Sequence, residues 1–143
     1  MARVGVNDVI GGGGLHHIAM NARDFDGAVR FYTEGLGFRE AYAWGALSAE
    51  SDSRAVMLDM GDGNYLEVFS SQAGHAGNGA ILHFALRSLD AEAAYHRALA
   101  AGAVSQVEPK TVAVPGQPPR DFRIAFVRGP EGETIEFFQN DTL

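Results

Sequence analysis

Apolar and polar positions alternate along LHHIAMN, so residues 15–22 are predicted to form a strand. The period then lengthens. Phe25, Val29, Tyr32 and Leu36 recur at helical spacing, which predicts a helix from about Asp24 to Gly35 with Asp24 as its N-cap. Alternation returns in FREAYAW, RAVMLDM and NYLEVFS, three short strand candidates set apart by polar or glycine-rich turns. The same order follows again. A strand at 80–87 leads into a helix from about Asp90 to Ala101, with Ala91, Tyr95, Ala98 and Leu99 inward and Gly102 as the stop. Further strands are expected near 103–108, 122–128 and 133–138. The proline-rich stretch PKTVAVPGQPPRD reads as a long loop of the kind that often carries function, and SSQAGHAGNG joins the two halves. The predicted pattern is βαβββ, twice.

The two halves also match residue for residue. His17 and His83 are 66 apart (83 − 17), and so are Asp24 and Asp90 (90 − 24). Each half closes on a strand bearing a carboxylate, Glu67 in NYLEVFS and Glu136 in GETIEFFQ. Side chains on a strand alternate between faces, which sorts these residues. His17 lies with Ala19 and Asn21, opposite Ile18 and Met20; His83 lies with Ala85 and Arg87, opposite Phe84 and Leu86. Glu67 shares its face with Tyr65 and Phe69, and Glu136 with Thr134 and Phe138. The apolar faces suit packing under the helices, which turns both histidines and both glutamates toward a common concave face.

Composition narrows the chemistry. The chain has no cysteine, so a metal would sit on nitrogen and oxygen donors, and disulfide or thiol chemistry is excluded. A net charge of −7 argues against a phosphate backbone or an anionic membrane as partner. The opening residues MARVGVNDVI lack the apolar core of a signal peptide, and a cytoplasmic address is expected. Gly11 to Gly14 read as a spacer that ends a flexible leader, residues 1–14, with one domain over 15–143 built of modules at 15–70 and 80–139. The glycine run lacks the Lys-Ser/Thr that follows a phosphate loop.

Two imidazoles and two carboxylates suit a six-coordinate divalent cation, with Ni, Co or Zn favoured and Mn or Fe as options. Such a cation leaves positions for two substrate oxygens and stabilises the enediolate formed when a proton leaves the carbon beside a carbonyl. A carboxylate at the site is suited to move that proton. His16 is expected to be structural and His96 exposed; His75 is read as a solvated loop residue, with substrate contact as the alternative. Arg123 and Arg128 are expected at the solvated surface or on a substrate rim.

The segments HHIAMNARDFDGAVRFYTEGLGF, YLEVF, LHFALRSLDAEAAYHRALAAGA and IAFVRGPEGETIEFFQ carry a resemblance to the vicinal oxygen chelate superfamily, also called the glyoxalase/bleomycin resistance/dioxygenase superfamily. It covers nearly all of Leu15 to Gln139. The resemblance implies an α+β fold, two tandem βαβββ modules forming a cupped mixed sheet, commonly in a homodimer acting on a small molecule. In the glyoxalase I branch the ligand positions read His, Glu, His, Glu, which match His17, Glu67, His83 and Glu136 here. That match implies a metal-dependent lyase or isomerase for a small α-oxo or α-hydroxy carbonyl compound, with Glu136 as catalytic base and Glu67 as its partner. Tyr65, Phe69 and Phe138 would line the substrate cup. Epimerases of the superfamily usually carry Gln at the second ligand position and need a further carboxylate, for which Glu50 and Asp52 lie in the right neighbourhood. Asn21 and Ser71 stand where bacterial glyoxalase I sequences carry an Arg and an Asn, so a thiol cofactor does not follow. The other readings are an epimerase, a dioxygenase, or a non-catalytic binder of an antibiotic-type molecule on the same fold.

Overall fold

A computed structural model describes residues 5–35, 37–71, 80–129 and 132–143. Its first module runs β1 (Gly12–Ala22), α1 (Phe25–Arg30), β2 (Arg39–Trp44), β3 (Ala55–Asp59) and β4 (Tyr65–Ser70). The second runs β5 (Ile81–Ser88), α2 (Ala91–Ala100), β6 (Val104–Val114), β7 (Arg120–Arg128) and β8 (Thr134–Gln139). The α+β class and the doubled βαβββ order are as the alternation and the resemblance imply.

Both helices begin where the aspartates stand. The Gly27 N–H donates to Asp24 at 2.9 Å and the Ala93 N–H donates to Asp90 at 3.0 Å. Each cap satisfies an N–H that the first helical turn leaves without a carbonyl. The first helix has six α-helical residues, and a π-helical turn over Phe31–Gly35 completes the predicted span. Leu36, the last residue of its expected apolar stripe, lies outside the described residues.

Within the first module the strand order is β2-β3-β4-β1, and in the second it is β5-β8-β7-β6. In each, the opening strand runs parallel to the closing one: β1 beside β4, and β5 beside β8. The other registered pairs are antiparallel, which makes the pairing mixed. Phe25, Val29 and Tyr32 of the first helical segment cover Val56, Leu58, Leu66 and Val68. Ala91, Ala94 and Tyr95 of α2 cover Ala125, Val127 and Phe137. Alanine on the second helix lets its backbone come close to the strands, and both Ala91 and Ala94 are fully buried.

By contacts the chain forms two compact units whose borders differ from those of the modules. One holds the residues up to His16 with His83–Ala113 and Asp121–Leu143; the other holds His17–Leu82 and Val114–Arg120. Two expectations change in detail. Order begins before Leu15: β1 starts at Gly12, and the Leu89 N–H donates to the Gly11 carbonyl at 2.7 Å. Gly12 has φ 109°, and a Cβ there would sit 3.3 Å from the Leu89 nitrogen, so glycine serves a close backbone approach. The expected long loop is also shorter, because β6 continues through Pro109 to Val114. A proline is tolerated there since β6 ends the strand order and, among the described residues, has one edge without a ladder.

Candidate metal centre

Glu67 and Glu136 owe their positions to one repeated piece of geometry. In the parallel pair β1–β4, Ala19 is in register with Glu67; in β5–β8, Ala85 is in register with Glu136. In both modules the histidine stands two residues before that alanine, on the same face of the strand. Alanine leaves the space above it open, so each imidazole reaches diagonally to the carboxylate of the neighbouring strand. His17 Nε2 lies 3.3 Å from Glu67 Oε1, and His83 Nε2 lies 2.8 Å from Glu136 Oε2. Each pair is described within its own compact unit.

These groups are largely out of water. His17 is fully buried, and Glu67 and Glu136 are 6% and 4% exposed. A carboxylate withdrawn from solvent is costly unless positive charge and hydrogen-bond donors surround it, and a neutral imidazole supplies no charge. Each of the four residues offers one ligand atom of metal-binding type. Imidazole nitrogen with carboxylate oxygen is a donor set for borderline and hard divalent ions. By donor chemistry and by burial, the residues present fit a cation.

Neighbouring residues on the same faces are mostly apolar. Met57 is in register with Glu67 from the other side, and Phe126 with Glu136. Phe126 also meets the His83 ring edge-on at 5.1 Å. Tyr65, in register with His17, is buried. Phe69 meets Trp44 edge-on at 6.1 Å, and Trp44 lies 5.7 Å from Tyr42. Phe138 is packed between His16, at 4.0 Å, and Phe122, at 4.9 Å. Alternation along FREAYAW already puts Tyr42 and Trp44 on one face, whereas Met57 joins them only through the pairing of β2 with β3, and Phe126 carries no comparable sequence signal.

The remaining titratable candidates have other surroundings. His16 is wholly buried, in keeping with a structural role, and His96 is exposed. Arg123 pairs with Glu92 at 3.0 Å, and Arg128 is exposed. His75 lies outside the described residues. Glu50 sits exposed in a turn closed by Ser48. Asp52 receives Arg54 Nε at 3.0 Å and Nη2 at 2.9 Å, while Arg54 Nη1 reaches Asp26 at 2.7 Å. The hydrogen bonds from Arg54 hold the Asp52 carboxyl well below the usual carboxylate range, and Asp52 and Asp26 raise the guanidinium in return. A carboxylate so held is a poor proton acceptor.

Known structures share this architecture. The methylmalonyl-CoA epimerase of Mycobacterium tuberculosis superposes with a TM-score of 0.71 at 19% identity, over 95% of this chain and 93% of that one. A hypothetical protein of Bacillus halodurans C-125 gives 0.67 at 16% identity, over 92% and 96%. A variant of the Streptomyces coelicolor methylmalonyl-CoA epimerase, in complex with 2-nitronate-propionyl-CoA, gives 0.62 at 21% identity, over 88% and 96%. At such identities the likeness is one of fold. Among curated proteins, none matches the sequence. Residues 14–137 match the family described as the Glyoxalase/Bleomycin resistance protein/Dioxygenase superfamily, and the chain belongs to it.

Proposed function

We propose that His17, Glu67, His83 and Glu136 together hold one divalent cation, and that the protein is an enzyme that moves a proton on the carbon beside a substrate carbonyl. The observation that carries this reading is the twice-repeated register. Each module sets an imidazole against a buried carboxylate in the same strand geometry. Two such pairs carry two negative charges when the imidazoles are neutral, which is the charge a divalent ion offsets. When bound, the cation would polarise the carbonyl and stabilise negative charge developing on its oxygen.

The chain's own residues supply the rest. Glu136 takes the proton from the carbon, and Glu67 returns one that it has drawn from solvent, so the two carboxylates serve as an acid–base pair. Met57, Phe126 and the aromatic side chains around them limit water at the reacting carbon. Return of the proton on the other face of the same carbon is epimerisation, and its return on the neighbouring atom is the glyoxalase-type outcome. We favour the epimerase-type outcome on a 2-substituted acyl thioester, in view of the epimerases among the similar structures. One observation favours the glyoxalase I-like lyase as a second reading. Glu67 stands where epimerases of the superfamily usually carry Gln, and Asp52 is tied to Arg54 and unsuited to be a separate base.

The test is solvent-deuterium exchange by metal-loaded protein, in parallel with a single-enantiomer 2-methylacyl thioester and with a hemithioacetal of methylglyoxal. Deuterium entering the thioester with loss of optical purity, and no oxygen uptake, is the expected result. Turnover of the hemithioacetal alone would establish the lyase. No exchange in either substrate despite bound metal would leave a binding protein. The family's small-molecule chemistry fits an acyl thioester; a homodimer is the expected assembly, which sedimentation would test.

A further inference from the structure

The chain contains two Asp-Gly steps, Asp26–Gly27 and Asp62–Gly63. Such steps are chemically vulnerable, because glycine has no side chain to keep its nitrogen from the carboxyl carbon of the preceding aspartate. The fold treats the two in opposite ways. Asp26–Gly27 lies in the first turn of α1. There the Gly27 N–H donates to Asp24 Oδ1 at 2.9 Å, and Asp26 Oδ1 accepts from Arg54 Nη1 at 2.7 Å. A Cβ on Gly27 would strike the Asp24 carboxylate, so cap and backbone are pressed together. Ring closure at Asp26 requires that turn to open first.

Asp62–Gly63 stands in the turn that joins β3 to β4, and Asp62 is exposed. The turn is tight: Asp59 is in register with Tyr65, and the Met60 N–H donates to the Asn64 carbonyl at 3.0 Å. Asp62 Oδ1 accepts from the Asn64 N–H at 3.0 Å, and Oδ2 from Asn64 Nδ2 at 2.8 Å. A carboxylate bonded to the N–H two residues on is folded around the peptide between them, which brings its carbon toward the Gly63 nitrogen. The Gly63 N–H reaches Asp59 Oδ1 at 3.4 Å, longer than a firm N–H···O bond.

We propose that Asp62–Gly63 is a site of isoaspartate formation, and so the place where a carboxyl methyltransferase that recognises isoaspartate would act on this protein. The Gly63 nitrogen bonds to Asp62 Cγ, the C–OH bond of the protonated carboxyl breaks, and the amide hydrogen leaves with that hydroxyl as water. Water then opens the succinimide. Attack at the side-chain carbonyl restores aspartate; attack at the main-chain carbonyl leaves the backbone running through Cβ, one atom longer, with a free α-carboxylate. The lengthened turn feeds β4, the strand that bears Glu67.

The test ages intact protein at mildly acidic pH, then digests it and labels isoaspartate with that methyltransferase and labelled S-adenosylmethionine, scoring the two Asp-Gly peptides separately. Isoaspartate should accumulate at residue 62 at least about tenfold faster than at residue 26, where the cap and the Arg54 contact must break first. In urea, where neither step is held, the two rates should come to within about twofold. Asp62→Glu, whose ring would be six-membered, should remove the label from its own peptide and leave the other unchanged. Comparable accumulation at both steps in folded protein, or none at residue 62, would overturn the proposal. So would a preference for residue 62 that persists undiminished in urea, since sequence and not fold would then set it.

Discussion

His17 and His83 are informative because each stands against a buried carboxylate, the pairing on which the proposed cation site is built. If Glu136 and Glu67 form the acid–base pair, neutralising either one removes a proton-transfer group. Glu136→Gln and Glu67→Gln should each lower the deuterium-exchange rate by about 10²- to 10⁴-fold. Exchange at near wild-type rate in either variant would assign the proton transfer elsewhere. Asp52 makes a different prediction. Its carboxyl is held below its ordinary value of 3.8 by Arg54, so its stabilising contribution is present above that pH and is lost as the pH falls toward the folded-state value. Wild type should therefore be more stable than Asp52→Asn in urea at neutral pH, and the gap should narrow near about pH 3. A gap that widens in acid would contradict the sign of the shift.

At the scale of elements, Tyr42 is the tether of the 114–116 segment. Tyr42→Phe removes two buried hydrogen bonds and leaves a carbonyl and an N–H to find other partners, at a cost of about 1–3 kcal/mol. Amide exchange should rise over 114–120 and stay unchanged in α2; uniform acceleration, or none, would refute the tether. On α2, Ala94 has no room to grow. Ala94→Leu should cost about 1–3 kcal/mol by overpacking, read from the urea midpoint, and a neutral effect would mean the helix stands off from the strands. Much of this was legible beforehand. The aspartate caps, the inward helix faces and the pairing of His17 with Glu67 all follow from periodicity, because the repeat fixes the offset and alternation fixes the face. Less legible was what depends on neighbours distant in sequence. Pro109 reads as a loop residue until β6 is seen to be an edge strand. The packing of His16 and Phe122 on Phe138 joins residues that lie far apart in the chain. Arg54, which takes Asp52 out of contention as a base, gives no local signal of its partner Asp26 across 28 residues.

For the molecule as a whole, duplication is the economical route to a four-ligand site: one module's His-Glu pair, copied, doubles the donors without a new invention. The two buried carboxylates, each set against an imidazole, are where a bound divalent cation would add favourable charge interactions. Metal should then stabilise the native state, by about 2.7 kcal/mol at a hundredfold excess over Kd, and chelation should lower Tm accordingly. Among the described residues no helix is long and apolar enough to cross a membrane. The most direct measurement is a crystal grown with Ni or Co and imaged at that metal's absorption edge. A single anomalous peak per chain's worth of ligands, bonded to His17, Glu67, His83 and Glu136, is the expected result. A peak on one His-Glu pair alone, a peak elsewhere, or none at saturating metal would contradict it.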